Sequence, residues 1–145
     1  MILEKPNSLD TPLKFTRNIH ILYVPTIFCN LGCSYCYLGN LTEKKLSKVE
    51  ENKILDTLSF ALNKFINNGV LPFNVSLHGG EVTTLPDTIL TKLFSIINKH
   101  YTNYFDALQS KGFKKYNPHI KTNLYNFDKL VDLFISKNVS ISASV

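Results

Sequence analysis

Three cysteines, Cys29, Cys33 and Cys36, lie within eight residues in the stretch TIFCNLGCSYCYLGN, and the chain has no other cysteine. Their C-x3-C-x2-C spacing allows three thiolates to approach one compact metal centre from one side. A [4Fe–4S] cluster has four irons and normally four cysteine ligands, so three thiolates leave one iron open. An open position also distinguishes catalytic metal sites from closed structural ones. The spacing therefore predicts a cluster with one iron available to a small molecule.

A glycine pair ends a second segment, PFNVSLHGG at residues 72–80. Apolar and polar residues alternate along it, which predicts a strand that ends in a glycine turn. Ligands of α/β folds bind at the carboxyl ends of parallel strands, so this turn and the cysteine segment are expected to converge. Gly79 and Gly80 suit a ligand that lies along the backbone, because glycine permits close approach.

Strand and helix signals alternate along the rest of the chain. Apolar and β-branched runs predict strands at 19–25, 72–80, 118–124 and 138–145. Helical periodicity predicts one helix from an N-cap at Ser47 to Asn68, a second from near Pro86 towards His100, and a short third after Asn126. Residues 101–117 fit either an extension of the second helix or a loop around Gly112.

This order predicts an α/β fold with parallel strands, right-handed crossovers and helices packed outside. The final strand has no helix after it, whereas parallel sheets are normally covered on both faces. We therefore expect residues 19–145 to be the first part of a larger barrel, or to close against another chain. Residues 1–18 are polar, contain two prolines and are expected to form an irregular lead-in.

Composition limits the classes of partner. The 145 residues, 44% of them hydrophobic, suffice for one domain with a core. The net charge of +5 comes from dispersed lysines, with Arg17 the sole arginine, which favours a solvated surface over a nucleic-acid footprint. No apolar run reaches the about 18 residues of a membrane span, and no signal-peptide layout begins the chain. We expect a cytoplasmic protein with no nucleic-acid or membrane partner. In the reducing cytoplasm, clustered thiols more often bind metals or catalyse reactions than form disulfides.

The motif CNLGCSYCY after the first strand, followed by HGGE after the second, resembles the radical S-adenosylmethionine (radical SAM) enzymes. It is most similar to the branch that modifies peptides and proteins, which includes SPASM-type peptide maturases and anaerobic sulfatase-maturing enzymes. The resemblance covers about residues 19–145 and implies about the first four strands and three helices of a partial (β/α)6 TIM-like barrel. Val82 departs from it, because this branch often has proline there.

The resemblance also implies cofactors and residue roles. The implied iron ligands are Cys29, Cys33 and Cys36, and S-adenosylmethionine (SAM) would chelate the fourth iron. The implied SAM contacts are Tyr35 near the adenine, Gly79, Gly80 and Glu81 at the methionine amino group, largely through backbone, and Ser144 near the ribose. Reductive cleavage of SAM would give a radical that abstracts hydrogen from a peptide or protein. An electron donor such as flavodoxin or ferredoxin is implied, and no side chain is assigned a further catalytic role.

Other interpretations stay open. The chain fits a non-catalytic, truncated iron–sulfur or SAM-binding module, or a partner subunit. It also fits a Cys3His zinc site, although zinc sites usually show paired short cysteine spacings. The candidates for its fourth ligand are His20, His78, His100 and His119. The glycine pair alone fits an ordinary strand-to-helix turn, and Asn123 fits ordinary turn chemistry.

Overall fold

The computed structural model describes residues 14–29 and 48–143, with the side chains of residues 48 and 49 outside that description. These ranges form an α/β structure with one parallel sheet whose strand order is β1-β2-β3-β4. The strands are β1 (Arg17–Thr26), β2 (Val70–Gly79), β3 (His119–Thr122) and β4 (Ser140–Ala143). Parallel α/β architecture is therefore confirmed. β1 begins two residues inside the segment expected to be an irregular lead-in.

The helices of the described ranges are α1 (Lys48–Asn67), α2 (Asp87–Asn103), α3 (Phe105–Ser110) and α4 (Phe127–Ser136), and a 3₁₀ turn spans Val82–Thr84. Periodicity predicted α1, α2 and α4. The additional helix, α3, falls in the segment that fitted either helix or loop. It forms because Tyr101, Tyr104 and Leu108 continue the buried stripe of α2 at helical spacing. Within the same ranges, no helix is long and apolar enough to cross a bilayer.

The helices pack against one face of the sheet. The buried side chains of α1 pack against those of β2, which lies between β1 and β3 in the sheet. The buried residues are Ile54, Leu58, Leu62 and Ile66 of α1, and Leu71, Val75 and Leu77 of β2. Each fully buried leucine or isoleucine contributes about 1.5–3 kcal/mol. The Tyr23 hydroxyl also donates to the Ile54 carbonyl at 2.7 Å, and burial raises the pKa of Tyr23 to about 12, which keeps this donor protonated.

Side chains of α2 complete the hydrogen bonding of β2. β3 pairs with β2 only at Ser76 and Leu77, so the first part of β2 has a strand, β1, on one side only. The backbone N–H of Val75 donates to the Tyr101 hydroxyl at 3.0 Å, and His100 Nε2 bonds the Pro72 carbonyl at 2.8 Å. Both α2 side chains are buried. They satisfy backbone groups that a longer β3 would otherwise have paired.

His100 should make the stability of the fold depend on pH. Because a carbonyl can only accept, Nε2 carries the proton, and burial lowers the pKa of His100 below its ordinary 6.5. The unfolded chain takes up a proton below that ordinary value, whereas the folded chain resists it. The free energy of unfolding is therefore highest above about pH 6.5 and decreases as the pH falls towards the folded-state pKa.

Urea denaturation between about pH 8 and about pH 5 measures this dependence. The variant His100→Gln keeps an amide donor for Pro72 but cannot titrate, so its free energy of unfolding should vary less with pH. His78→Gln is the control, because His78 is less buried and should account for a smaller part of the slope. An identical slope for His100→Gln and the unsubstituted chain would contradict the assignment.

Candidate functional site

The carboxyl ends of three neighbouring strands bring together the segments that the sequence singled out. Cys29 lies three residues beyond the end of β1, the glycine pair spans the end of β2, and Asn123 directly follows β3. The side-chain amide of Asn123 donates to Cys29 Sγ at 3.9 Å. The first cysteine of the motif and the glycine turn therefore share one rim, as the carboxyl ends of parallel strands predict.

The two glycines are required by the close approach of the chain's own backbone. A Cβ at Gly80 would lie 2.2 Å from the Phe28 carbonyl oxygen and 2.3 Å from that of Ile27. A Cβ at Gly79 would lie 2.3 Å from the Thr26 carbonyl oxygen, and the φ of Gly79 is +123°. A side chain at either position would push away the segment that leads to Cys29. The geometry of the turn itself therefore requires both glycines.

Hydrogen bonds fasten the same two segments to each other. The N–H of Gly80 donates to the Thr26 carbonyl at 3.1 Å, and the N–H of Glu81 donates to the Phe28 carbonyl at 2.7 Å. The Thr26 hydroxyl accepts from the Phe28 N–H at 3.1 Å. These bonds occupy the amide protons of residues 80 and 81. What the turn backbone can offer a ligand is carbonyl oxygen, the acceptor that a protonated amine needs.

The Glu81 carboxylate joins the end of β2 to the end of β3. It is 1% exposed, and Oε2 accepts from the Thr83 N–H at 3.3 Å and from the hydroxyls of Thr83 and Thr122 at 2.5 Å and 2.6 Å. Oε1 accepts from the backbone N–H of Asn123 at 2.7 Å. The resemblance implied a SAM contact for Glu81 largely through backbone, and that stays a prediction, while its carboxylate holds the rim together.

Asn123 combines turn chemistry with a contact to sulfur. Its Oδ1 accepts from the Tyr125 N–H at 3.0 Å, an Asx turn that supports the left-handed Leu124 (φ +67°). Its Nδ2 then points to Cys29. The sequence favoured ordinary turn chemistry for this residue over a contact in the site. Its position directly after β3 could have indicated that it lies at the rim. Thr122 carried no comparable signal, because a threonine at the end of a strand is ordinary.

Four of the eight residues expected to hold the cluster or SAM lie outside the described ranges: Cys33, Tyr35, Cys36 and Ser144. The proposed helix cap Ser47 also lies outside them. Two neighbouring positions are described. Ser142 bonds His119 rather than a rim residue. Val82, where the resembling branch often has proline, is fully buried and opens the 3₁₀ turn, so a core side chain fills that place.

The histidines bear on the zinc alternative. His20 Nε2 and both ring nitrogens of His119 bond serine hydroxyls, and His100 Nε2 bonds a strand carbonyl. Of the four candidates for a Cys3His site, His78 directly precedes Gly79 at the end of β2, so it is the first one to test. Among residues 14–29 and 48–143, no three His, Cys, Asp or Glu side chains are grouped to hold a metal. Since those ranges include one of the three cysteines, this leaves the three-thiolate site untested.

Comparison of the chain with protein-family models, with curated proteins and with solved structures gave no match.

Proposed function

We propose that the chain carries the cluster- and SAM-binding part of a radical SAM enzyme that acts on a peptide or protein. Cys29, Cys33 and Cys36 hold a [4Fe–4S] cluster in this proposal, and SAM occupies the open iron. Together the bound cofactors supply hydrogen-atom abstraction, and the protein positions them. The observation that carries the proposal is the Cys29 thiol beside the glycine turn, at the rim where β1, β2 and β3 end.

The chemistry of the rim fits the two cofactors. Cys29 offers a thiolate, and the Asn123 amide donates to its sulfur, an interaction that tunes the reduction potential of clusters. Gly79 and Gly80 offer carbonyl acceptors to the SAM amino group. Tyr35 and Ser144 keep their proposed places at the adenine and the ribose. Glu81 acts as a positioning residue, because its carboxylate bonds protein donors.

The order of the strands supports a barrel. All four strands follow one another across the sheet in chain order. A doubly wound sheet reverses its strand order and places helices on both faces, whereas here α1 and α2 pack on the same face. We therefore include in the proposal a partial (β/α)6 barrel, a flavodoxin- or ferredoxin-like electron donor, and a reducing compartment such as the cytoplasm.

Anaerobic reconstitution with iron and sulfide tests the proposal. The chain should turn brown, absorb near ~400 nm and hold about four irons. Cys33→Ala should lose most of this iron, whereas Ser142→Ala, which alters a hydroxyl on β4, should keep it. Unchanged iron content in Cys33→Ala would overturn the proposal.

Incubation of the cluster-loaded chain with SAM and dithionite then distinguishes an enzyme from a non-catalytic binding module. Release of 5′-deoxyadenosine supports the enzyme, and a stable cluster without cleavage supports a non-catalytic SAM-binding module. Zinc without iron or sulfide after anaerobic purification supports the zinc site, and His78→Gln should then lower the zinc content.

A further inference from the structure

The face of the sheet opposite the helices carries a group of basic side chains. The strand register pairs Leu22 with Ser76, Ser76 with His119, and Lys121 with Ser142, so alternate residues of all four strands share this face. The strand residues on it include no aspartate or glutamate. We call its four basic residues the basic face: His20, His78, His119 and Lys121.

Hydrogen bonds fix the first of these histidines. His20 Nε2 lies 3.1 Å from Ser76 Oγ. The Ser76 hydroxyl donates to Asn74 Oδ1 at 3.4 Å, so it accepts from His20. The imidazole therefore keeps its proton on Nε2 and stands in one orientation.

Two serines of β4 hold His119 in the same way. Its Nδ1 lies 2.8 Å from Ser140 Oγ, and the Ser140 hydroxyl donates to the Pro118 carbonyl at 3.3 Å, so Nδ1 is the donor. Its Nε2 lies 2.8 Å from Ser142 Oγ. A neutral ring accepts from that hydroxyl, and a protonated ring donates to it. The ring is therefore held on the face in both charge states.

The basic groups on this face oppose one another's protonation. Burial, followed by Lys121 and His20, lowers the pKa of His78. Burial, followed by Lys115, His78 and His20, lowers the pKa of His119. The groups therefore lie close enough to oppose each other's protonation. An anion bound among them would remove that opposition and make charge-assisted hydrogen bonds.

Apolar side chains on the same face indicate the kind of anion. Leu22 is 53% exposed and Val24 is 41% exposed on β1, next to β2, which carries His78. Aliphatic surface next to cations suits a peptide that carries both carboxylates and aliphatic side chains. A nucleic acid would favour arginine and stacking aromatic rings, whereas β1–β4 place lysine, histidine and aliphatic residues on this face.

We propose that the basic face binds the acidic side chains of a peptide whose aliphatic residues contact Leu22 and Val24. His78 directly precedes Gly79, so a peptide held there reaches the rim that carries Cys29. Taking this peptide as the substrate rests on the proposed function. Its binding does not require a cluster, because the basic face consists of strand residues.

Isothermal titration calorimetry on the full chain, with and without reconstituted cluster, tests the inference. One probe is an acetylated, amidated peptide with two glutamates flanked by leucines, and the other has glutamines in their place. At low salt the glutamate peptide should bind about 10-fold more tightly. The preference should increase from about pH 8 to about pH 6, because the histidines gain charge while the glutamates stay ionised.

Lys121→Gln combined with His78→Gln should reduce the preference to about 2-fold or less. Lys129→Gln, an exposed lysine of α4, should leave it intact. Equal affinity for the two peptides would overturn the inference, as would tight binding of single-stranded oligothymidine in their place. A retained preference in a chain that assembles no cluster would support this inference and refute the proposed function. A cluster-loaded chain without the preference would refute this inference alone.

Discussion

Replacement of Gly80 by alanine should detach the Cys29 segment from the end of β2. The new Cβ would meet the carbonyl oxygens of Phe28 and Ile27 at 2.2 Å and 2.3 Å. Both are backbone atoms, which cannot move away by changing a rotamer, so the two segments must separate. That movement breaks the bonds from Gly80 to Thr26 and from Glu81 to Phe28. We expect a loss of about 3 kcal/mol in the free energy of unfolding.

Gly112→Ala is the matched control for this substitution. Gly112 has φ +87° but no atom within 4 Å of its Cβ position, so alanine there costs conformational strain of about 1 kcal/mol without a clash. Urea denaturation compares the two variants. Hydrogen exchange at the Glu81 amide should accelerate in Gly80→Ala alone. Equal stability of the two variants, with unchanged exchange at Glu81, would contradict the close approach.

The same variant also connects the fold to the proposed function. If the glycine turn positions the cysteine segment, anaerobic reconstitution of Gly80→Ala should incorporate less iron than that of Gly112→Ala, even where both remain folded. Iron content then reports the placement of Cys29, and the denaturation midpoint reports stability. Equal iron content in the two folded variants would show that the thiolates bind independently of the turn.

Strands and long helices were predictable because their signals are local. The stripe of Ile54, Leu58, Leu62 and Ile66 recurs at helical spacing, and it forms α1. The start of β2 was not predictable, since Pro72 interrupts the pattern at the third residue of the strand. Pro72 lies at a shift in the register between β1 and β2, and His100 Nε2 donates a hydrogen bond to its carbonyl. That partner lies 28 residues away, and no local pattern indicates it.

The position of the site was predictable from the sequence, but the contacts that each side chain makes there were not. The carboxyl ends of parallel strands must share an edge, so the cysteine and glycine segments could be expected to meet. Three features could not be predicted, because each depends on a contact between distant segments. They are the carbonyls that require a glycine at position 80, the four donors around Glu81, and the Asn123 amide at Cys29. The sequence gives residue types and spacing, and these contacts arise from tertiary packing.

Removal of the Glu81 carboxylate should be among the most destabilising changes in the chain. Glu81→Ala leaves four donors without their acceptor, two hydroxyls and two backbone N–H groups. The hydroxyls can rotate to other acceptors, but the N–H groups of Thr83 and Asn123 are fixed by the backbone. Since an unsatisfied buried donor costs about 1–3 kcal/mol, we expect a loss of about 3 kcal/mol or more.

Glu81→Gln distinguishes loss of the carboxylate charge from the cavity that alanine leaves. Asp87→Ala shows what loss of a carboxylate costs at an exposed position. Glu81→Gln keeps the volume but turns an NH₂ group towards donors, so its stability should fall between those of Glu81→Ala and the unsubstituted chain. Asp87→Ala removes an exposed carboxylate in the first turn of α2 and should cost less than about 1 kcal/mol. Thermal denaturation of the three variants ranks them. Equal midpoints for Glu81→Ala and Asp87→Ala would contradict the four-donor arrangement.

The effect of Glu81 should extend to the thiol that it does not touch. Its Oε1 holds the Asn123 backbone, and the Asn123 amide donates to Cys29 Sγ. A donor to sulfur stabilises the thiolate, which is the reactive form of the side chain, so release of Asn123 should make Cys29 less reactive. In the metal-free chain, alkylation of Cys29 by iodoacetamide, followed by peptide mass mapping, should therefore be slower in folded Glu81→Gln. Asp87→Ala should leave that rate unchanged. An unchanged rate in Glu81→Gln would show that the carboxylate stabilises the rim without positioning Asn123 at the sulfur.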